Sequence, residues 1–270
     1  MLKHRILTAL VLIPLALSAI FMLNSFHFAL AFAGVMLLAA WEWAQFVAPN
    51  NMKVRVGYWL LCLGGFFLVY RIPHFYLYGA AVIWWLLALF WVVAYPKKQQ
   101  QWARPSTMAI MGFFVLFPTW RGLIDLQVLP HGPLIVLYVM CLVWVADTGA
   151  YFAGRRWGKR KLAPTVSPGK SIAGLIGGLV LTLALALWVS YDVNLSPIQI
   201  VYLILLTLVT ALASVLGDLL ESMVKRYRGV KDSGRILPGH GGILDRLDSL
   251  TAALPIFAFG WYLALMNGVA

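Results

Sequence analysis

Long apolar stretches separated by short polar ones cover nearly the whole chain. Stretches of about 20 mostly apolar residues, the length of a spanning helix, begin near residues 5, 27, 57, 75, 106, 133, 171, 197 and 249. The third is short before Arg71, and the fifth carries Pro118 and Arg121, so either of them can be tilted, broken or partly re-entrant. The pattern predicts an all-α polytopic integral membrane protein with about nine transmembrane helices.

Composition supports the membrane prediction. The chain is 62% hydrophobic and 11% charged, with a mean hydropathy of +0.86, well outside the range of soluble domains. Without repeats or soluble linkers, we expect residues 1–270 to form a single membrane domain. We expect residues 1–130 to be mainly scaffold helices, and the polar residues to be gathered in the helices of residues 131–270 and their loops 154–170 and 221–248.

Basic residues are distributed unevenly between the two sides of the predicted helices. If the helices alternate, one side receives nineteen of the 21 Lys and Arg residues, and the other receives Arg71 and Arg121. We expect a multi-pass protein of a bacterial inner (plasma) membrane. Because Lys and Arg favour the cytoplasmic side, we expect its N-terminus and its two long loops to be cytoplasmic. Twelve of these cations lie in loops 154–170 and 221–248, which indicates a polyanion site beyond ordinary topology.

The most polar segment, residues 213–251, holds five of the nine acidic residues. On a helix, Asp218, Ser222 and Lys225 share one face because they are spaced by four and three. Asp218 then lies at membrane depth, where an ionisable group costs about 2.5–3.5 kcal/mol on insertion scales and indicates function. A structural salt bridge to Lys225 is the alternative interpretation.

Two further acids begin the last span. Asp245 and Asp248 are three residues apart, on one helical face near a helix N-terminus, which favours negative charge. Together with Asp218 they can hold a divalent cation, and hard carboxylate oxygens favour Mg²⁺. The sequence contains no Cys or His cluster suited to zinc. It does not decide between one metal ion and two.

A glycine-rich loop lies between these acids. Gly241 and Gly242 allow backbone N–H groups to approach a phosphate closely, although such loops are common and the signal is weak. His240 either contacts a phosphate or transfers a proton, or it simply bonds to the backbone.

A second polar group precedes the seventh span. Lys170 stands at a helix N-terminus, a favourable phosphate position, but Pro164 occupies the place of the first P-loop glycine, so no P-loop is predicted. Asp147, near the end of the sixth span, is either functional or paired with a basic neighbour. Glu42 can be solvated at the interface and receives no catalytic role.

Small residues line the start of the seventh span. Gly174, Gly177 and Gly178 favour tight helix packing or a homodimer contact over ligand binding, with packing as the default.

Residues 222–248 carry a longer pattern, which is Ser222-x-Val-Lys225-Arg226-x4-Lys231-Asp232-x-Gly234-x2-Leu237-Pro238-x-His240-Gly241-Gly242-Ile243-x-Asp245-Arg246-Leu247-Asp248. This pattern resembles the signature of the phosphatidate cytidylyltransferases, the CDP-diacylglycerol synthases. The motifs Asp147-Thr-Gly-Ala-Tyr151 and Ser167-Pro168-x-Lys170-Ser171 also resemble family motifs. The first 130 residues show little that matches.

The resemblance implies a multi-helix membrane enzyme that uses Mg²⁺. The phosphate of phosphatidic acid attacks the α-phosphorus of CTP, which releases pyrophosphate and gives CDP-diacylglycerol. Asp218 and Asp245 are then the expected metal ligands, supported by Asp248. The other expected catalytic residues are Lys225, Arg226, Lys231, Asp232, His240 and Arg246, and the expected substrate-binding residues are Asp147, Ser167, Lys170, Ser171, Ser222, Gly241 and Gly242.

Membrane lipids are expected partners and nucleic acid is not. Two other functions remain as alternatives. A CTP-dependent lipid kinase of the polyprenol type is similar in fold, but the intact signature argues against it. A transporter for a phosphorylated solute predicts inverted repeats, whereas the charge here lies on one face and in one half of the chain.

Overall fold

A computed structural model of the protein describes residues 2–237, 239 and 241–268, with residues 2–9 as backbone only. The helices are α1 (Leu2–Met22), α2 (Ser25–Val47), α3 (Met52–Val69), α4 (His74–Ala94), the short α5 (Gln99–Trp102), α6 (Pro105–Gln127), α7 (Gly132–Trp157), α8 (Ile172–Asp192), α9 (Pro197–Tyr227) and α10 (Leu244–Met266). Within this described part, every helix from α2 onward except α5 is long and apolar enough to cross a membrane. The all-α, multi-pass membrane prediction is confirmed, and nine as the number of spans stays a prediction.

The doubtful third and fifth spans are both continuous helices. α3 begins at Met52, earlier than predicted, and α6 continues through Pro118. Arg121 is compatible with a buried position because its Nε donates to both carboxylate oxygens of Asp125, at 2.7 and 2.8 Å. Tyr78 donates to the same carboxylate. These bonds satisfy the buried charges, so the helix needs no break.

Helix α7 extends into the predicted loop 154–170, and α9 continues through Asp218, Ser222 and Lys225, the helical face that the sequence predicts. α7 ends at Trp157 with Arg155 and Arg156 in its last turn, and α9 ends with Lys225 and Arg226 in its last turn. Cations are favourable at a helix C-terminus because they complement the macrodipole. Loops 154–170 and 221–248 therefore both begin with helical residues.

The glycines of α8 pack against α7. A Cβ at Gly178 would lie 2.8 Å from the carbonyl oxygen of Ala146, and one at Gly174 would lie 2.9 Å from that of Ala150. Gly149 of α7 is equally close to α8, where a Cβ would lie 2.6 Å from the Gly177 carbonyl oxygen. The packing interpretation of these glycines is confirmed, and the two helices meet with their backbones in near contact.

A short antiparallel hairpin, which the sequence pattern did not predict, joins α7 to α8. It consists of β1 (Lys161–Ala163) and β2 (Ser167–Ser171), with Lys161 opposite Ser171 and Ala163 opposite Ser167. Arg226 Nε of α9 donates to the Val166 carbonyl oxygen at 3.3 Å, which ties the hairpin tip to the bundle. Lys170 therefore projects from a strand, one residue before the cap of α8.

Candidate functional site

Polar residues from both halves of the chain meet at one end of the bundle. The C-terminal ends of α7 and α9 and the N-terminal ends of α8 and α10 lie there, with the hairpin between α7 and α8. Residues 228–243, called the signature loop below, connect α9 to α10. Gly217 allows α9 and α10 to approach, because a Cβ there would lie 3.2 Å from Thr251 Oγ1 and would also meet the Asp248 backbone. This close packing brings Asp218 beside the start of α10.

One group of charges, called the outer cluster, contains Lys170, Asp218, Asp147 and Asp248. Lys170 Nζ lies 2.7 Å from Asp218 Oδ2, and Ser222 Oγ donates to Asp218 Oδ1 at 3.1 Å. Asp147 interacts electrostatically with Lys170 and Asp218, and so does Asp248. The sequence-based alternative of a salt bridge from Asp218 to Lys225 is wrong, because the hairpin supplies Lys170 instead.

An open cavity of about 210 Å³ lies beside the outer cluster, between α7, α8 and α9. Asp147, Lys170 and Ser171 form its polar part. Apolar residues form the rest of the wall, including Leu162, Leu175, Leu179, Ala211 and Val215. The cavity thus joins a charged end to a hydrocarbon-like wall, a combination that suits an amphiphilic ligand.

A second group, called the inner cluster, surrounds Lys225. The Nζ of Lys225 lies 2.6 Å from Asp245 Oδ1 and 3.1 Å from Glu221 Oε1, and Lys225 is only 7% exposed. Glu221 interacts electrostatically with Asp248, which links the two clusters. The charge of Lys225 is balanced inside the protein, and its contact with a substrate phosphate stays a prediction.

Asp245 organises the signature loop. Its Oδ2 accepts hydrogen bonds from Ser233 N at 2.8 Å, Ser233 Oγ at 2.9 Å and Gly242 N at 2.8 Å, while Lys225 occupies Oδ1. Charge-assisted bonds of this kind are among the stronger ones in proteins. Because its amide is bound to Asp245, Gly242 contributes to loop order, and its contact with a phosphate stays a prediction.

Glu42 of α2 lies beneath the same loop and is fully buried. Its carboxylate accepts from Ile243 N at 3.0 Å, Leu244 N at 2.8 Å and Ser233 Oγ at 3.1 Å. The interpretation of Glu42 as a solvated interfacial acid is wrong. The carboxylate instead satisfies backbone donors at the start of α10, which lacks a capping side chain of its own.

Two glycines of the signature loop adopt a left-handed backbone. Gly239 and Gly241 have φ angles of 75° and 85°, which side chains with a Cβ rarely adopt. Leu237 N donates to the Gly241 carbonyl oxygen at 2.9 Å and closes this turn. The predicted role of His240 lies outside the described residues.

The remaining predicted site residues divide into exposed and structural positions. Arg226, Lys231, Asp232 and Arg246 are exposed around the signature loop, where a soluble ligand can reach them. Ser171 Oγ accepts from Gly174 N at 3.1 Å and caps α8, and Ser167 pairs within the hairpin. Their contacts with substrate stay predictions.

Sequence reasoning missed Glu221, Ser233 and Glu42 as site residues. Glu221 had a detectable signal, since it lies one helical turn before Lys225. Ser233 lies inside the signature but at one of its variable positions. Glu42 had no local signal, because its partners follow it by 191 to 202 residues.

The described residues contain no ready-made group of three or more His, Cys, Asp or Glu ligands for a metal ion. Mg²⁺ is commonly held by only one or two carboxylates, with water and substrate phosphates completing its shell. Asp218 and Asp248, which interact electrostatically, fit that donor set. Asp245 fits less directly, because four contacts from Lys225, Ser233 and Gly242 engage its oxygens, whereas Asp218 has two within the described ranges, from Lys170 and Ser222.

The sequence is similar to those of known proteins over nearly its whole length. The model of the cytidylyltransferase family matches residues 3–264. A Haemophilus influenzae protein named phosphatidate cytidylyltransferase is 43% identical over 98% of this chain and all of its own length. A Pseudomonas aeruginosa protein of the same name is 45% identical over 96% of both chains, and one from Bacillus subtilis is 47% identical over 48% of both.

Proposed function

Because the chain belongs to the cytidylyltransferase family, we propose that it transfers the cytidylyl group of CTP to phosphatidic acid. A phosphate oxygen of phosphatidic acid forms a bond to the α-phosphorus of CTP. The bond from that phosphorus to the oxygen bridging to the β-phosphorus breaks, and pyrophosphate leaves. The products are CDP-diacylglycerol and pyrophosphate, and the enzyme acts in phospholipid biosynthesis.

The cavity beside the outer cluster is the observation that carries this proposal. Phosphatidic acid has an anionic phosphate joined to acyl chains, and the cavity offers Lys170 at one end and an apolar wall along α8 and α9. Lys170 leaves its ion pair with Asp218 and neutralises the lipid phosphate instead. The apolar wall accommodates the first acyl carbons without exposing them to water, and it adds little net free energy because those carbons come from an equally apolar bilayer.

Positioning and charge neutralisation account for most of the catalysis in phosphoryl-type transfer. The lipid phosphate is already an anion, so the reaction needs no strong general base. Mg²⁺, held by Asp218 and Asp248 together with substrate oxygens, would neutralise charge on the phosphates of CTP. Asp245 becomes a third metal ligand only if Lys225 releases its Oδ1. One such ion or two are compatible with these carboxylates.

CTP approaches from the exposed side of the signature loop, where Arg226, Lys231 and Arg246 attract its phosphates. We place this face in the cytoplasm and the protein in the bacterial inner membrane, because the predicted loop cations follow the positive-inside rule. A homodimer stays a prediction, since the α8 glycines that suggested it pack against α7 of the same chain.

The test uses purified full-length protein in detergent with phosphatidic acid, Mg²⁺ and CTP labelled at either the α- or the γ-phosphate. Cytidylyl transfer puts only the α label into lipid and releases labelled pyrophosphate from the γ-labelled CTP. An Asp218→Asn variant should lose most of this activity. Asp192→Asn is the matched control, because Asp192 is an exposed acid at the end of α8.

The two labels separate the alternatives. A parallel reaction with a polyprenol in place of phosphatidic acid supplies the hydroxyl that a CTP-dependent lipid kinase needs, and such a kinase would put the γ label into that lipid. A transporter would label no lipid in either reaction. Either result from folded wild-type protein would overturn the proposal. Equal activity in Asp218→Asn and Asp192→Asn would remove Asp218 from the site and leave the reaction itself intact.

A further inference from the structure

Glu42 is an acid in the middle of an otherwise apolar helical turn, and it belongs to the scaffold half of the chain. It is fully buried, and no Lys or Arg in the described part of the chain forms an ion pair with it. A buried carboxylate without a countercharge is unfavourable unless hydrogen-bond donors surround it. The donors here are Ile243 N, Leu244 N and Ser233 Oγ.

Two signature glycines are shaped around this carboxylate. A Cβ added at Gly234 would meet the Glu42 side chain, and so would one at Gly242. Neither glycine has a positive φ angle, so close approach, rather than backbone conformation, requires the missing side chain. Gly234 and Gly242, near the middle and the end of the signature loop, therefore both lie directly against Glu42.

Ser233 extends the effect of Glu42 into the inner cluster. Its hydroxyl lies 3.1 Å from Glu42 Oε2 and 2.9 Å from Asp245 Oδ2, and its single proton serves one of them at a time. Its backbone N–H also donates to Asp245. Displacing Ser233 would move a donor of Asp245, which in turn holds Lys225.

The same carboxylate fixes the start of α10. Ile243, at the N-cap position, has no side-chain hydrogen bond to offer the first turn. Glu42 accepts the two backbone donors there, and an anion at this position also complements the helix dipole. Asp245 and Asp248 lie in the first two turns of α10, so their direction depends on that anchor.

We propose that Glu42 is a positioning residue, which fixes the signature loop and the start of α10 and thereby orients Asp245 and Asp248. It does not touch substrate. The kinetic part of the test rests on the proposed cytidylyl transfer, and the structural part does not.

The decisive variant is Glu42→Gln, which keeps the shape of the side chain. Its amide NH₂ is itself a donor, so one of the two positions that now accept hydrogen bonds would face other donors. Because a buried charge-assisted bond is lost, hydrogen exchange at Leu244 and its neighbours should accelerate roughly 10- to 100-fold, which corresponds to about 1.4–2.8 kcal/mol. The turnover number should fall by a similar factor, while KM for both substrates changes much less. The Mg²⁺ concentration for half-maximal rate should rise.

Glu42→Asp keeps the charge on a shorter side chain and should restore part of the exchange protection and of the rate. Asp125→Asn removes another buried acid outside the site, and it should leave exchange at residues 233–244 and the turnover number unchanged. If Glu42→Gln does not fold, the comparison of Glu42→Asp with Asp125→Asn decides the question in the same way.

A folded Glu42→Gln protein with wild-type exchange and turnover would overturn the proposal. So would slow turnover with unchanged exchange at residues 233–244, because Glu42 would then act by another route. Wild-type protein that makes no CDP-lipid, but whose loop still loses protection in Glu42→Gln, would overturn cytidylyl transfer and leave the positioning role standing.

Discussion

The buried position of Lys225 predicts a large loss of stability when its charge is removed. Lys225 lies between Glu221 and Asp245, which are 3% and 8% exposed. Lys225→Met keeps most of the side-chain volume and leaves two buried carboxylates facing each other. Removing one partner of a buried ion pair typically costs about 3–5 kcal/mol, because the other charge is left uncompensated.

The contacts of the two acids predict which second change restores stability. Asp245 keeps three other hydrogen bonds, from Ser233 and Gly242, whereas Glu221 has only Lys225 as a cationic partner in the described part of the chain. Neutralising Glu221 should therefore help more. Adding Glu221→Gln to Lys225→Met should return about 1–3 kcal/mol, the usual penalty of a stranded buried group.

The free energy of unfolding can be measured by titrating SDS into protein in mixed micelles and following helicity and tryptophan fluorescence. Lys53→Met is the matched control, since Lys53 is exposed on α3 and its loss should change the free energy of unfolding by less than about 0.5 kcal/mol. A loss below about 1 kcal/mol in Lys225→Met, or strict additivity of the two substitutions, would refute the buried-triad reasoning.

Three shorter predictions follow from other contacts. Chelation of Mg²⁺ should abolish activity, and added Mg²⁺ should restore it, with a higher requirement in Asp218→Asn, as measured by the labelled-CTP assay. Asp125→Asn should lower the free energy of unfolding by about 2–3 kcal/mol, because Arg121 and Tyr78 lose a charged acceptor, while the turnover number of the folded protein is unchanged. Gly149→Leu should prevent α7 from packing on α8 and abolish monodisperse protein, whereas Gly34→Leu, where a Cβ meets nothing within 4 Å, should purify normally.

The length of each apolar stretch was enough to predict the helices. Predicted starts near residues 75, 106, 133 and 197 lie within one residue of the observed helices α4, α6, α7 and α9. This agreement has a simple cause, since a segment in hydrocarbon must satisfy its own backbone hydrogen bonds and therefore forms a helix. The acids Asp218 and Asp248 were also identifiable, because an ionisable group in such a segment is rare.

Only the tertiary structure decided which charges meet. Local spacing left a pair between Asp218 and Lys225 open as an alternative. The hairpin instead brings Lys170 to Asp218, and Lys225 contacts Glu221 and Asp245. Glu42 is the extreme case, because its partners are 191 to 202 residues away. Hydrophobic length fixes each helix by itself, whereas the partner of a buried charge depends on how separate helices pack, and no local pattern contains that information.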